Sequence, residues 1–133
     1  MFETRLRAAL LDWLMADPAL ANALNAITEE APTRAAVPWL GIVASASTDW
    51  STKDRAGREV RVALELRARG DDPAGAADLV SAIEARVDAL PPAQDRFRVV
   101  TTGFLRARAE QRANNQRAVL IEYRFRLLAD ETP

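Results

Sequence analysis

The residue types that most often carry enzyme chemistry are missing from this sequence. It contains no cysteine and no histidine, which excludes thiolate nucleophiles, disulfides, imidazole metal ligands and the Ser-His-Asp triad. Its five glycines never group into a phosphate-binding loop. The adjacent acids Glu29-Glu30 and Asp71-Asp72 could bind a hard cation, but each pair lies beside a predicted helix boundary, where capping or solvation is the simpler role. The sequence therefore predicts a protein that is not an enzyme and uses no metal or cofactor.

Arginines are concentrated towards the C-terminal end of the chain. Of the 18 basic residues, 17 are Arg, and residues 96–126 hold eight Arg against two Glu, a net charge of +6. Three interpretations stay open: a solvated strand face with an edge protected by charge, an interface with another protein, or contact with the phosphate backbone of DNA. The slightly acidic whole chain and the lack of a basic helix argue against sequence-specific DNA binding. The arginines in the predicted strands and their loop are Arg98, Arg106, Arg108, Arg112, Arg117, Arg124 and Arg126.

An acidic segment precedes the arginines. Residues 71–95 carry one Arg against six acidic residues, a net charge of −5. Asp71, Asp72 and Asp78 lie near the start of a predicted helix, where the helix dipole favours negative charge. This explains the acidic segment without a partner, and an acidic docking surface is the alternative.

A tryptophan stands in the middle of a polar stretch. Trp50 is flanked by Asp49, Ser51 and Lys53 in residues 47–57, which are predicted to form a loop. Exposing an indole ring to water without a partner is unfavourable. Trp50 is therefore expected either to fold back onto the edge of the sheet or to act as an interface anchor, a role in which Trp is enriched.

Hydrophobic periodicity predicts the elements that position these residues. Apolar residues at three- and four-residue spacing predict helices, and alternation of apolar and polar residues predicts strands. The predicted helices span residues 2–15, 18–24 and 73–90, and the predicted strands span residues 39–46, 58–69, 97–108 and 117–128. Residues 28–32 and 109–116 are predicted to be loops, and the second of these is longer than a tight hairpin needs.

The predicted elements follow the order α-α-β-β-α-β-β. Amphipathic strands of this kind fit an antiparallel, about four-stranded sheet with one face covered by the N-terminal helix and the central helix. In the strand at 97–108, the odd-numbered residues from Phe97 to Leu105 are predicted to share one face, and Gly103 predicts a bulge or a bend. We therefore expect an α+β fold, with one domain over residues 1–133 because no linker or repeat interrupts the chain.

The stretch around Trp50 resembles a known protein family. Residues 49–53, then Gly57-Arg58-Glu59, then an alternating strand up to Leu66 are similar to small tail-completion proteins of tailed phages. That family includes the tail terminators of siphophages and of phage-like gene transfer agents. The Leu-rich first helix, the Pro-Trp entry to the first strand, the Gly-Asp-Asp start of the central helix and the two C-terminal strands follow the same order. The resemblance covers about residues 5–128.

The resemblance implies a structural role without catalysis. Members of the family form a ring, typically of six subunits, that caps the finished tail tube and joins it to the head connector. The implied partners are further copies of the chain, the tail tube protein and a head-side adaptor or stopper protein, with non-specific DNA contact in the lumen of the ring. The implied location is the neck end of the tail of a phage or phage-like particle, after assembly in the bacterial cytoplasm. The alternatives are a head-side neck or stopper protein, or a small DNA-binding module that uses the Arg-rich hairpin.

Eight residues are expected to make the contacts of such a subunit. For contacts made by the loop they are Trp50, Lys53, Arg55 and Arg58, and for contacts between subunits, with the tube or in the lumen they are Arg106, Arg108, Arg112 and Arg117. The N-terminus lacks the long uninterrupted apolar core of a signal peptide. The most apolar later run, residues 35–46, is shorter than the ~20 residues that cross a bilayer, so no membrane contact is expected.

Overall fold

Three helices and five strands form within residues 2–130, the part of the chain that this computed structural model describes. They are α1 (Phe2–Met15), α2 (Pro18–Ala23), β1 (Ala26–Thr28), β2 (Trp39–Asp49), β3 (Gly57–Arg69), α3 (Pro73–Asp88), β4 (Phe97–Arg112) and β5 (Gln116–Ala129). The three predicted helices and the four predicted strands are all present. The α+β prediction is confirmed.

The five strands form one sheet in the order β1-β2-β3-β5-β4. β2 pairs with β3, β3 with β5 and β5 with β4, all antiparallel, whereas β1 pairs in parallel with the first three residues of β2. Two hairpins, β2–β3 and β4–β5, therefore lie side by side through β3 and β5. The short β1 and the long β4 form the two edges of the sheet.

Side-chain caps set where the helices begin. The Asp17 carboxylate accepts a hydrogen bond from the Ala19 backbone N–H at 3.3 Å, and the Asp72 carboxylate accepts one from the Gly75 N–H at 3.0 Å. In both helices a proline follows the cap, at a position where the missing N–H costs nothing. These two helix starts are as the sequence predicts.

The hydrophobic core lies between the helices and one face of the sheet. Leu6, Leu10 and Leu14 of α1 and Ile83 and Val87 of α3 are fully buried there. We call the side of the sheet beneath them the helix face; its buried residues on β3 and β5 are Val60, Val62, Leu64, Leu66, Val119, Ile121, Tyr123, Phe125 and Leu127. The opposite side, the open face, carries the alternate residues, which include Glu59, Arg61, Glu65, Arg67, Glu122, Arg124 and Arg126.

The sheet is larger than predicted because of one short parallel strand. Residues 28–32 are predicted to be loop, but Ala26–Thr28 pairs with Trp39–Gly41. Three residues are too few to show a period-two pattern, so the strand is invisible to that signal. The sheet is therefore five-stranded and mixed rather than about four-stranded and antiparallel.

Both hairpin connections are shorter than predicted. β2 continues to Asp49, so the polar loop spans residues 50–56 rather than 47–57. β4 continues to Arg112, and the connection to β5 consists of residues 113–115 rather than 109–116. Asn114 and Asn115 adopt positive φ angles of 62° and 56°, which asparagine tolerates better than most residues. The Asn pair thus makes a three-residue turn possible.

Two β-bulges in β4 change which of its residues face the helices. The pairing of β4 with β5 passes over Val100 and over Leu105. Each extra residue shifts the alternation by one position. As a result Phe104 lies on the helix face, where its ring meets the Tyr123 ring edge-on with centroids 5.7 Å apart.

The predicted sharing of one face by the odd-numbered residues from Phe97 to Leu105 is therefore wrong beyond Val99. Thr101 and Gly103 lie on the open face, because their partners on β5 do. The bulge predicted near Gly103 is confirmed, with one bulge on each side of it.

Candidate assembly surface

The Arg-rich hairpin is formed by β4 and β5, and its arginines pair with glutamates of the same hairpin. Arg106 donates to Glu122 on the facing strand, and Arg112 donates to Glu110. The Arg108 Nε atom lies 3.0 Å from a Glu110 carboxylate oxygen. The hydrogen bond from Arg112 lowers the pKa of the Glu110 carboxyl below its usual value.

These ion pairs leave the arginines accessible. The side chains of Arg106 and Arg108 are 64% and 57% exposed. Exposed pairs of this kind contribute at most about 1 kcal/mol to folding, so a partner can recruit the guanidinium groups at little cost. Arg117 is more enclosed: its Nη2 atom donates to the Gly70 carbonyl at 3.5 Å, and its buried Nε atom has no partner among the described residues.

The Trp50 loop lies at the other end of the sheet. The Trp50 backbone N–H donates to the Gly57 carbonyl at 3.0 Å, and the Arg126 guanidinium lies 5.6 Å from the centre of the Trp50 ring. Since Arg126 belongs to the open face, the indole folds back against that face and is only partly exposed. This is the first of the two arrangements that the sequence allows for Trp50.

The charged residues of the loop project into solvent. Lys53 and Arg55 are exposed at its tip, where the Thr52 N–H donates to the Arg55 carbonyl at 2.9 Å and closes a turn. Arg58 is also exposed, and its Nη1 atom donates to the Ser47 hydroxyl at 3.2 Å. Lys53 and Arg55 are therefore open to a partner, whereas Arg58 lines a small pocket together with Glu3 and Asp49.

The structure places the eight predicted contact residues at the two ends of the sheet and between those ends. The pairing register puts the loop beside Gly57 at one end of β3, and puts the β4–β5 turn beside Arg69 at the other end. β3 has 13 residues, so the two ends are roughly 40 Å apart at about 3.3 Å per residue. Arg112 and Arg117 belong to the turn end, whereas Arg106 and Arg108 lie between the two ends.

A charged network covers the open face of the sheet. The Glu59 carboxylate accepts a hydrogen bond from Arg126 at 3.1 Å, and the Glu65 carboxylate accepts one from Arg67 at 2.6 Å. The Arg67 guanidinium also lies 5.3 Å from the centre of the Trp39 ring. The contacts between strands in this network escape sequence reasoning, because Glu59–Arg126 depends on the register of β3 against β5 and Arg67–Trp39 on that of β2 against β3.

One pair on the open face has like charge. Arg61 and Arg124 are direct partners in the register of β3 and β5, and such pairs disfavour folding. The Arg124 Nε atom forms no hydrogen bond among the described residues, but it lies 3.9 Å from a Glu59 carboxylate oxygen. Glu59 therefore offsets part of the charge of Arg124.

The exposed apolar residues of β4 are the main contact candidates that the sequence does not single out. Val100, Phe104 and Leu105 are 43%, 48% and 36% exposed. Their signal in the sequence is the uncharged run of residues 99–105 between Arg98 and Arg106. Without the bulges, that run resembles an ordinary half-buried strand.

The described part of the chain contains no cluster of metal-ligating side chains. No group of three acidic residues that could hold a metal ion occurs within residues 2–130. A groove of about 770 Å³ opens between α1 and residues 90–97, and its charged lining consists of Arg5, Asp12, Asp95 and Arg96. None of the described helices is both long and apolar enough to span a bilayer.

Comparisons with known proteins agree on the fold. No curated protein matches the sequence. The structure is similar to a chain of the virion of a native gene transfer agent particle, with a TM-score of 0.82 and 22% identity. The similarity covers 95% of this chain and 96% of that chain. A second solved structure is similar over 99% of this chain and 95% of its own, with a TM-score of 0.52 and 18% identity.

A family model identifies the chain. The model described as tail completion protein gp17 matches residues 8–128, which is nearly the whole sequence, from the middle of α1 to within one residue of the end of β5. This match agrees with the resemblance carried by residues 49–66. The chain therefore belongs to the tail completion protein gp17 family, and it is a structural protein of a phage-type virion.

Proposed function

We propose that this chain is a tail terminator, a ring-forming subunit that caps the finished tail tube and joins it to the head connector. The observation that carries the proposal is the family match over residues 8–128. The likeness in fold to a chain of a gene transfer agent virion, over nearly the full length of both chains, is consistent with it. The protein would thus act at the neck end of the tail, after assembly in the bacterial cytoplasm.

The charge distribution supports assembly from identical copies. Residues 71–95, which include α3, carry a net charge of −5, whereas residues 96–126 carry +6. Contacts between different faces of identical subunits generate rings when the rotation closes. Opposite charges on the two faces would fix the orientation of each subunit and speed up the encounter. Six copies per ring is the number that the family resemblance implies.

The two separated groups of cations support two further partners. A terminator has to touch the tail tube protein on one side and a head-side adaptor or stopper protein on the other. The Trp50 loop and the β4–β5 turn lie at opposite ends of the sheet, so each is free to meet a different partner.

DNA in the lumen is a further contact that one observation favours. Arg61 and Arg124 face each other on the open face, where phosphate groups would offset their repulsion. Contacts with the phosphate backbone carry no sequence information. We therefore propose non-specific contact with DNA that passes through the ring.

Uncapped tail tubes test the proposed function. Purified protein is added to tubes assembled without a terminator, and the tube ends are imaged by electron microscopy. A terminator is expected to add one ring at one end of each tube and to stop further elongation. Binding to head particles and not to tubes would assign the chain to the head side of the neck instead. Binding to neither would contradict the proposal.

A further inference from the structure

Both edges of the sheet are only partly covered. β1 pairs with Trp39–Gly41, and beyond that point no strand among the described residues lies beside the outer side of β2. On β4, residues 92–94 cover only the beginning of the outer side, through a bridge from Ala93 to Arg98 and a 2.8 Å hydrogen bond from the Val99 N–H to Pro92. We call residues 43–49 the β2 edge and residues 100–106 the β4 edge.

Proteins blunt exposed edges with charged side chains, proline, β-bulges or a covering segment. Bulges interrupt β2 at Val43 and β4 at Val100 and Leu105, but the other devices are missing between the charged residues at the ends of the two edges. Residues 43–48 and 99–105 contain no charged residue and no proline. The β4 edge instead exposes Val100, Phe104 and Leu105, which are three of the four large apolar side chains that are most exposed within residues 2–130. An edge of this composition is suited to accepting another strand.

The two edges lie at the same level of the sheet and run in opposite directions. Across the sheet, Ala46 pairs with Arg61, Arg61 with Arg124, and Arg124 with Gly103. Since each of the three pairings is antiparallel, β4 is antiparallel to β2. In a ring of identically oriented copies, the β4 edge of one copy would therefore meet the β2 edge of the next as an antiparallel pair, the more stable ladder.

Charges of opposite sign bracket the two edges. Asp49 ends β2, and the Glu30 backbone carbonyl lies against Gly41 at the other end of the β2 edge. Arg98 and Arg106 stand just before and at the end of the β4 edge. Glu30, Asp49 and Arg98 form no salt bridge within residues 2–130, so these three charges are available to a neighbouring molecule.

We infer that copies of this chain join edge to edge, with the β4 edge of one copy added as a strand beside the β2 edge of the next. The inference rests on the proposed ring and names the surface that builds it. Two different edges meet, so the contact is heterologous and repeats around the ring. The sheets of all copies become one continuous sheet with the helices on one side. The open face and its arginines then line the inside.

Single cysteines test the pairing, since the natural chain has none. Ala46→Cys and Thr101→Cys place one thiol on each edge. Both positions are exposed on the open face, and the register puts them two residues apart along the strand direction. A short bis-maleimide linker is expected to join the two variants into 1:1 dimers when they are mixed, and to join neither variant to itself. A chain with both substitutions is expected to give a ladder that ends at a closed species. As the control, Ala21→Cys on α2, also exposed, is mixed with Thr101→Cys and is expected to give no product.

Amide hydrogen exchange on the unmodified protein gives a second measurement. Residues 43–49 and 100–106 are expected to become strongly protected when the protein assembles, whereas the loop at residues 50–56 stays fast. Rings that form without cross-links and without this protection would overturn edge pairing and leave the proposed function intact. A protein that is monomeric in solution, caps tubes and gives no cross-link between the two variants on the capped tubes would also overturn it. Cross-linked rings that ignore tube ends would uphold edge pairing and contradict the proposed function.

Discussion

Trp13 and Arg86 hold α1 and α3 together through three reciprocal hydrogen bonds and a ring contact. The Trp13 indole N–H donates to the Arg86 carbonyl at 2.7 Å, and Arg86 donates from Nε and Nη2 to the Trp13 carbonyl at 2.8 and 2.7 Å. The guanidinium lies 3.4 Å from the centre of the indole ring. The two helices thus share a polar clamp at the rim of an otherwise apolar contact.

Replacing Arg86 with Ala is expected to destabilise the protein by about 1–3 kcal/mol, because it removes two charge-assisted hydrogen bonds and the cation–π contact. Arg86→Lys is expected to recover little of the loss, since one ammonium cannot reproduce the planar fork. Urea denaturation measures both variants. Arg69→Ala, which removes an exposed ion pair with Asp71, serves as the control and should change stability by less than about 1 kcal/mol. Equal effects of Arg86→Ala and Arg69→Ala would contradict the clamp.

Two glycine substitutions should separate a tight site from an open one. A Cβ atom on Gly57 would lie 2.5 Å from the Trp50 carbonyl oxygen and 2.7 Å from that of Leu127, both of them backbone atoms. Gly57→Ala is therefore expected to cost about 1–3 kcal/mol and to displace the Trp50 loop. Gly103→Ala meets nothing closer than 3.8 Å and should leave the stability of the monomer nearly unchanged. Thermal unfolding of the two variants checks the difference, and equal melting temperatures would refute it.

The Tyr123 phenol should make stability depend on alkaline pH. Burial, helped by Asp88, raises the pKa of Tyr123 well above its usual 10.0, and the hydroxyl donates to the Glu84 carbonyl at 3.3 Å. The folded state holds this proton more tightly than the unfolded state does. The stabilisation is therefore fully present below the unfolded-state pKa and is lost as the pH rises towards the folded-state pKa.

Tyr123→Phe removes this titrating group and is expected to flatten the decline in stability between about pH 9 and about pH 11. Urea denaturation of the wild type and the variant at several pH values measures the effect. At neutral pH the variant should lose about 0.5–1.5 kcal/mol with the hydrogen bond to Glu84. An unchanged slope at alkaline pH would assign the decline to other groups.

Glu3 and Ser45 give a complementary test at acidic pH. The hydrogen bond that the Ser45 hydroxyl donates to the Glu3 carboxylate, 2.6 Å long, lowers the pKa of Glu3 below its usual 4.5. Stability from this contact is present above that usual value and is lost as the pH falls through the lowered pKa. Ser45→Ala is expected to move the pKa of Glu3 upwards, as followed by NMR titration. A pKa that stays in place would point to the nearby arginines instead.

The predicted contact arginines are open to test as a group. Arg106, Arg108, Arg112 and Arg117 changed together to Ser should leave the monomer folded, because the ion pairs of the first three lie on the surface and Arg117 makes only a long hydrogen bond to Gly70, and should weaken assembly. Circular dichroism checks the fold, and native mass against concentration checks assembly. The control changes Arg5 and Arg34, which are exposed outside the hairpin, to Ser. Assembly as strong as that of the wild type would remove the four residues from the interface.

The strongly amphipathic elements of this fold are predictable from the sequence, and the weakly patterned ones are not. α1 and α3 each keep an apolar stripe at helical spacing, and β3 alternates without interruption over its length, so pattern and structure agree there. β1 has only three residues, and its strand state depends on Trp39–Gly41, which lie more than ten residues further along the chain. Tertiary pairing of this kind leaves no local signal.

The candidate site is likewise predictable from the sequence only in part. Composition alone draws attention to Arg106 and Arg108. Arg108 pairs with Glu110 two residues further along the same strand, but the pairing of Arg106 with Glu122 depends on a register that two bulges set. The alternation of residues along a strand does not reveal an inserted residue, so it assigns Phe104 to the wrong face of the sheet. The edges of the sheet cannot be predicted from the sequence for a different reason. Whether a strand has a neighbour is a property of the sheet topology and not of the strand's own sequence.

Each of the three tryptophans stands beside an arginine. Besides the clamp on Trp13, Arg67 lies 5.3 Å from the Trp39 ring, and Arg126 lies 5.6 Å from the Trp50 ring. The three rings report on different places: the junction of α1 and α3, the start of β2, and the loop at the far end of the sheet. A guanidinium over an indole changes its emission, so single-tryptophan versions of the chain would be local fluorescence sensors. Their fluorescence emission could then show which end of the molecule contacts a partner first.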